Sequence, residues 1–281
     1  MNTPAGTGHS WLPRASCDAG CVGAGDVMAS PRPLVTLRVT LRVILALLLA
    51  PGLPLLAVPL PGRTRVQRIY CRLVLRCLGV RITVTGNPIR NLRGVLVVSP
   101  HMSWIDVFAI GSVLPGSFVA RADMFTGPAT GIVARILKII PIERSSLRRL
   151  PGVVDAVARR LRAGQTVVAF PEGTTWCGLD RGAFYPAMFQ AAIDAGRPVQ
   201  ALRLTYHHVD GSPSTVPAFV GDETLLGSIR RLLTVPRTLA RVHVESLQLP
   251  GTDRRALAGR CQSAVGAGTS RRAGHGHVLV A

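Results

Sequence analysis

The chain has 281 residues, 48% of them hydrophobic, enough for one domain with a real core plus appendages and more than a soluble enzyme needs. Lys and Arg number 33 against 14 Asp and Glu, a formal charge of +19, which points to polyanionic partners: anionic lipid, phosphorylated or CoA-like substrates, or nucleic acid. Nucleic acid is disfavoured because only 5% of residues are aromatic and no recognition motif interleaves them with the basic ones.

Lys138 is the only lysine, and Ala, Gly and Pro are abundant, the bias of a GC-rich bacterial genome that makes any single arginine less informative. Residues 1–33 are rich in Gly, Ala, Ser and Pro and read as a disordered leader. Residues 43–62, "VILALLLAPGLPLLAVPLPG", carry no charge and are long enough to cross a bilayer. Four prolines crowd the second half, so a bent, re-entrant or interfacial anchor competes with a straight span. Residues 63–79 follow, with Arg65, Arg68, Arg72 and Arg76 at helical spacing and Val66, Ile69, Leu73, Val74 and Leu78 between them. This is a basic amphipathic helix suited to an anionic membrane surface, and 34–79 forms a membrane-associating segment.

From Val80 short apolar runs alternate with helical patterns. Strands are expected at 80–86, 94–99, 117–121, 139–143, 166–170, 197–206 and 240–249, with helices from Ser103, over roughly 123–138, over 151–164 and over 185–196. The order implies an α/β domain over 80–250 with a largely parallel central sheet flanked by helices. Residues 251–281 read as a disordered basic tail. The six cysteines (17, 21, 71, 77, 177 and 261) read as free thiols, because the Cys17-x3-Cys21 pair has no second pair or histidine nearby at metal-ligand spacing.

Three strand ends carry candidate chemistry, and in such sheets sites gather where strands end. In "VSPHMSWID" an imidazole, His101, leaves a buried strand five residues before a carboxylate, Asp106. The carboxylate can accept the Nδ1 proton and leave Nε2 as a base. A surface histidine followed by a helix-dipole aspartate would give the same letters. Ser103 reads as a helix cap, since no G-x-S-x-G elbow surrounds it. "FPEGTT" places Glu172, Gly173 and Thr174 in a loop fit for a phosphate or oxyanion, and "IPIERSS" brings Arg144 to a third strand end.

Together these stretches resemble the 1-acyl-sn-glycerol-3-phosphate (lysophosphatidic acid) acyltransferase family. "HMSWID" is similar to its H-x4-D block, "FPEGTT" to its F-P-E-G-T block and "IPIERSS" to the arginine block between them, in matching order across roughly residues 63–210. The resemblance implies His101 as general base, Asp106 as its orienting carboxylate, Arg144 as a ligand of the acceptor phosphate, and Glu172, Gly173 and Thr174 as the acceptor-binding loop. It further implies a lysophospholipid acceptor, acyl-CoA or acyl carrier protein as donor, no metal or other cofactor, and a place on the cytoplasmic face of the cell membrane. Pro100, Arg121 and Ala201 depart from the family pattern, where asparagine, lysine and proline are common. A different lyso-lipid acceptor, such as lyso-ornithine lipid, is the closest alternative.

Overall fold

In a computed structural model, residues 12–22, 31–56, 62–86, 92–125, 127–143 and 146–267 are described. The apolar runs become strands β1 (Val80–Gly86), β2 (Leu96–Val98), β3 (Ser117–Arg121), β4 (Ile140–Ile142), β5 (Val167–Ala169), β6 (Val199–His207) and β7 (Thr238–Gln248). They form one sheet in the order β1-β7-β6-β2-β5-β3-β4. All neighbours are parallel except β6 and β7, so the sheet is largely parallel, as the alternation of strands and helices implies.

The central strands are apolar on both faces because both are covered. Val97 and Val168 face one core with Ile105 and Ile110, while Leu96, Val98, Val167 and Ala169 face the other. The first face is closed by α2 (Arg63–Cys77), α3 (Asp106–Gly111) and α7 (Leu225–Thr234), through Leu75, Ile110 and Leu232. The second is closed by α5 (Leu150–Arg162), α6 (Ala187–Ala195) and α8 (Arg254–Gly266), through Leu161, Phe189 and Leu257. A short α4 (Pro128–Ile136) links β3 to β4.

Helix α8 corrects the expectation of a disordered tail beginning at 251. Asp253 caps it by accepting the Arg255 N–H at 2.8 Å, and Leu257, Ala258, Cys261 and Val265 bury one face. Arginine, glycine and alanine dominate the segment, and that narrow stripe is its only helical signal. The leader is corrected too. Residues 12–22 lie against the domain, with Cys17 buried and a 3₁₀ turn at Ala19–Cys21.

Helix α1 (Arg32–Leu49) starts ahead of the apolar stretch and passes into a 3₁₀ turn at Ala50–Leu56, where Pro51 and Pro54 lie; residues 57–61 are outside the described set. Arg32–Leu56 is long and apolar enough to cross a membrane, and Leu37, Ile44, Leu47 and Leu48 are exposed along it. The helix is fastened to the domain by a cation. The buried Arg42 guanidinium donates to the carbonyls of Leu233 (2.8 Å), Val235 (2.8 Å) and Pro236 (2.7 Å), and Arg38 donates to Thr234 O at 2.9 Å. These acceptors sit at the C-terminus of α7, where carbonyls lack intrahelical donors and the dipole favours positive charge. Gly79 makes room for this contact. Its φ is +78°, and a Cβ there would stand 1.9 Å from the Arg42 guanidinium.

Arg42→Ala should lower unfolding stability in detergent by about 2–3 kcal/mol, since it strips charged donors from buried carbonyls. The exposed Arg32→Ala should stay within about 0.5 kcal/mol of the parent. Equal urea midpoints for the two variants would refute Arg42 as the fastening.

Candidate functional site

β2 and β5 lie parallel, with Val98 opposite Ala169. Two chains leaving such strands emerge together, so the loops after them are pressed side by side at the C-terminal edge. The His101 N–H accordingly donates to Glu172 Oε2 at 2.8 Å. Pro171 and Glu172 are buried while Gly173 and Thr174 are half-buried, so the loop's polar rim faces outward and its carboxylate inward.

His101 Nδ1 meets Asp106 Oδ2 at 2.9 Å. A carboxylate only accepts, so the hydrogen belongs on Nδ1, and Nε2 is the nitrogen left to take up a proton. The Asp106 side chain has no exposed surface, and that of His101 retains 16%. Oδ2 also accepts the N–H groups of Met102 at 2.8 Å and Ser103 at 2.9 Å. These bonds fold the segment after β2 back on the first turn of α3. Ser103 does not cap that helix: its backbone N–H serves Asp106, and its buried hydroxyl accepts from Ile105 N at 3.4 Å.

One contributor escaped the sequence reading. Tyr206 on β6 donates its hydroxyl to Asp106 Oδ1 at 2.6 Å. Burial, reinforced by the Asp106 charge, holds that hydroxyl well above its usual pKa, so it stays a donor. The signal was present: the alternation Leu202, Leu204, Tyr206 ends a core-facing row on a side chain whose hydroxyl needs a partner. Phe170 stacks on the His101 ring with centroids 3.9 Å apart and planes inclined by 16°, fixing the imidazole's tilt.

Glu172 does not reach toward solvent. It is 2% exposed and accepts Gly182 N at 3.1 Å through Oε1, as Oε2 accepts His101 N. Burial pushes its pKa up to about 7, against the pull of those two N–H donors and the Arg181 charge. Glu172 is therefore placed as a brace under His101. Gly173 turns the loop with φ +71°, and a Cβ there would come within 2.6 Å of Pro13 in the leader. The Thr175 hydroxyl is taken by the Phe219 carbonyl.

Arg144 lies outside the described residues. The strand before it, β4, ends on the same edge as β2 but three strand positions away, roughly 14 Å at about 4.8 Å per step. A basic cavity of about 1330 Å³ opens at the opposite edge, among Arg63, Arg68, Arg72, Arg93, Lys138 and Arg197, so it is separate from the His101 loops.

A family profile described as Acyltransferase matches residues 81–205, which contain His101, Asp106 and Glu172. The chain is 33% identical over 181 residues to the 1-acyl-sn-glycerol-3-phosphate acyltransferase of Neisseria meningitidis serogroup B, spanning 64% of this chain and 71% of that protein. It is 32% identical over 209 residues to the lyso-ornithine lipid O-acyltransferase of Pseudomonas aeruginosa, spanning 73% and 78%. The chain belongs to the acyltransferase family. The crystal structure of PlsC, the 1-acyl-sn-glycerophosphate acyltransferase of Thermotoga maritima, shares the fold of this acyltransferase with a TM-score of 0.57 at 18% identity, covering 86% of this chain and 98% of that one.

Tyr206→Phe should cost this acyltransferase about 1–3 kcal/mol in denaturant unfolding, because a buried carboxylate oxygen loses its donor. A midpoint equal to the parent's would show that Asp106 does not depend on Tyr206.

The raised pKa of Glu172 sets a second expectation. The folded state holds the proton more tightly than the unfolded one, whose carboxyl titrates near 4.5. The contribution of Glu172 to stability is thus full below pH 4.5 and is lost as pH rises through about 7. The stability difference between the parent and Glu172→Gln should shift across this window by on the order of 3 kcal/mol in the variant's favour. A difference flat with pH would overturn the assignment.

Proposed function

We propose that the protein is a membrane-bound O-acyltransferase that moves a fatty acyl group from acyl-CoA or acyl carrier protein to the free hydroxyl of a lysolipid. The principal acceptor is 1-acyl-sn-glycerol-3-phosphate, and the product phosphatidic acid. The observation that carries this reading is the His101–Asp106 pair, 2.9 Å apart at the end of a central strand, in a chain of the acyltransferase family.

In this mechanism His101 Nε2 takes the proton of the acceptor hydroxyl as its oxygen attacks the thioester carbonyl carbon. The C–S bond breaks, the thiolate leaves and recovers the proton from the imidazolium, and an ester and a free thiol result. Asp106 keeps the hydrogen on Nδ1 and stabilises the cation formed in between. Arg144 binds the acceptor phosphate, and Gly173 and Thr174 wall the acceptor pocket. Glu172 acts through the His101 backbone. The exposed apolar length of α1 enters the bilayer, while Arg65, Arg68, Arg72 and Arg76 on α2 meet anionic headgroups on the cytoplasmic face.

One specific observation favours a second acceptor: the Pseudomonas relative is a lyso-ornithine lipid O-acyltransferase, matched over 78% of its length. Offering both lysolipids with each donor to detergent-purified protein separates the readings. Lysophosphatidic acid is expected to be acylated faster, and exclusive use of lyso-ornithine lipid would replace the principal reading with the second.

His101→Ala should lower kcat/KM by about 10²–10⁴-fold with the urea midpoint kept, the share a positioned base supplies. Asp106→Asn should also lower the rate, because an amide nitrogen then faces donors that need an acceptor. Parental turnover by folded His101→Ala would remove the histidine from the mechanism.

A further inference from the structure

The six cysteines read as separate thiols in the sequence, yet the fold collects three of them. The Sγ atoms of Cys17, Cys21 and Cys177 all lie within 4.8 Å of one another. Cys17 and Cys177 are buried and Cys21 is half-buried. The leader supplies two of these sulfurs, and the loop that carries Glu172 supplies the third.

The convergence is built by ordinary local structure. Asp18 accepts the N–H groups of Gly20 at 2.8 Å and Cys21 at 3.3 Å, which closes the turn and swings Cys21 back beside Cys17. The Cys177 N–H donates to Cys17 Sγ at 3.3 Å, which ties the leader sulfur directly to the loop that carries Glu172. The leader is also held at its flanks, by the Ser16 hydroxyl on Asp180 at 3.4 Å and by Pro13 over the Cα of Gly173.

Three thiolates are soft ligands, the wrong chemistry for Mg²⁺ or Ca²⁺ and the right one for zinc. Zinc–sulfur bonds of about 2.3 Å put thiolates on a tetrahedral ion about 3.8 Å apart, so the trio needs to close by no more than about 1 Å. Among the described residues the group holds three such donors, which leaves the fourth tetrahedral position to water or an exogenous ligand.

We propose that Cys17, Cys21 and Cys177 bind one zinc ion, and that this ion staples residues 12–22 across the loop bearing Glu172 and Gly173. The staple couples the leader to the wall of the acceptor pocket, because Cys177 follows Glu172 by five positions in one continuous loop.

The test uses full-length, untagged protein in detergent, reduced and stripped with chelator, then titrated with Co²⁺. Thiolate-to-cobalt charge-transfer absorption should saturate at one equivalent and vanish on adding Zn²⁺. Cys17→Ser, Cys21→Ser and Cys177→Ser should each abolish it, whereas Cys261→Ser, on α8, should leave it intact. Zinc should also slow tryptic cleavage after Arg14 in the parent and not in Cys21→Ser. No charge-transfer band in the folded parent would overturn the proposal. So would a band that survives all three serine variants, or a Cys17–Cys177 disulfide in the isolated protein that forms whether or not metal is supplied. None of these readouts depends on turnover, so the acyltransferase reading can fail without deciding this one.

Discussion

A carboxylate stripped of all exposed surface is costly unless its lone pairs are met, and Asp106 meets them with four donors. Two of those donors are backbone N–H groups of Met102 and Ser103, which can be presented only if the chain after β2 folds back on the start of α3. The third is the His101 ring, and the fourth is the hydroxyl of Tyr206 on the neighbouring strand β6. The same carboxylate therefore sets a loop conformation, joins two strands to a helix and decides which imidazole nitrogen carries hydrogen. Its removal would leave several polar groups unpaired in a low-dielectric place at once, which is why the region is built as a unit.

A second buried carboxylate extends that unit to the next strand. Glu172 accepts the backbone N–H of His101 and that of Gly182, so the imidazole is held from below by β5 while Asp106 orients it from the side. Phe170 closes a third direction by stacking. With one ring fixed by three elements, little conformational freedom remains for it to lose on meeting a ligand, the general advantage of preorganisation.

How much of this was legible depends on distance along the chain. The His101–Asp106 contact spans five residues and follows from a strand end, a short loop and a helix start, so spacing alone suggests it. The parallel sheet was legible because runs such as "VLVV" and "VVAF" are apolar at every position, the mark of strands covered on both faces. Tyr206 stands 100 residues from Asp106, and Cys177 stands 160 from Cys17. No local period can encode such pairs, which exist only through the order in which strands neighbour one another. Helix α8 was missed for another reason: four small or medium apolar residues suffice to bury a helix against a surface already made by β6 and α6, but they make a weak signal among arginines and glycines. Arg144 shows the reverse situation, a residue singled out by its motif that lies outside the described part of the chain.

The anchor and the candidate base are mechanically close. Helix α2 packs on α3 so tightly that a Cβ on Gly111 would stand 2.9 Å from Cys71 Sγ, and α3 begins with Asp106 itself. On the other side of α2, Val66, Ile69 and Leu73 are exposed beside its arginines. A helix with one face on the domain core and the other both apolar and basic suits a lipid–water boundary. It follows that the surface fit for lipid and the carboxylate orienting His101 are separated by two packed helices. For an acceptor whose acyl chain stays in the bilayer while its hydroxyl must reach an imidazole, such proximity is a geometric requirement: a base far from the boundary would oblige the whole lipid to be extracted into water, at roughly 0.8 kcal/mol per methylene group.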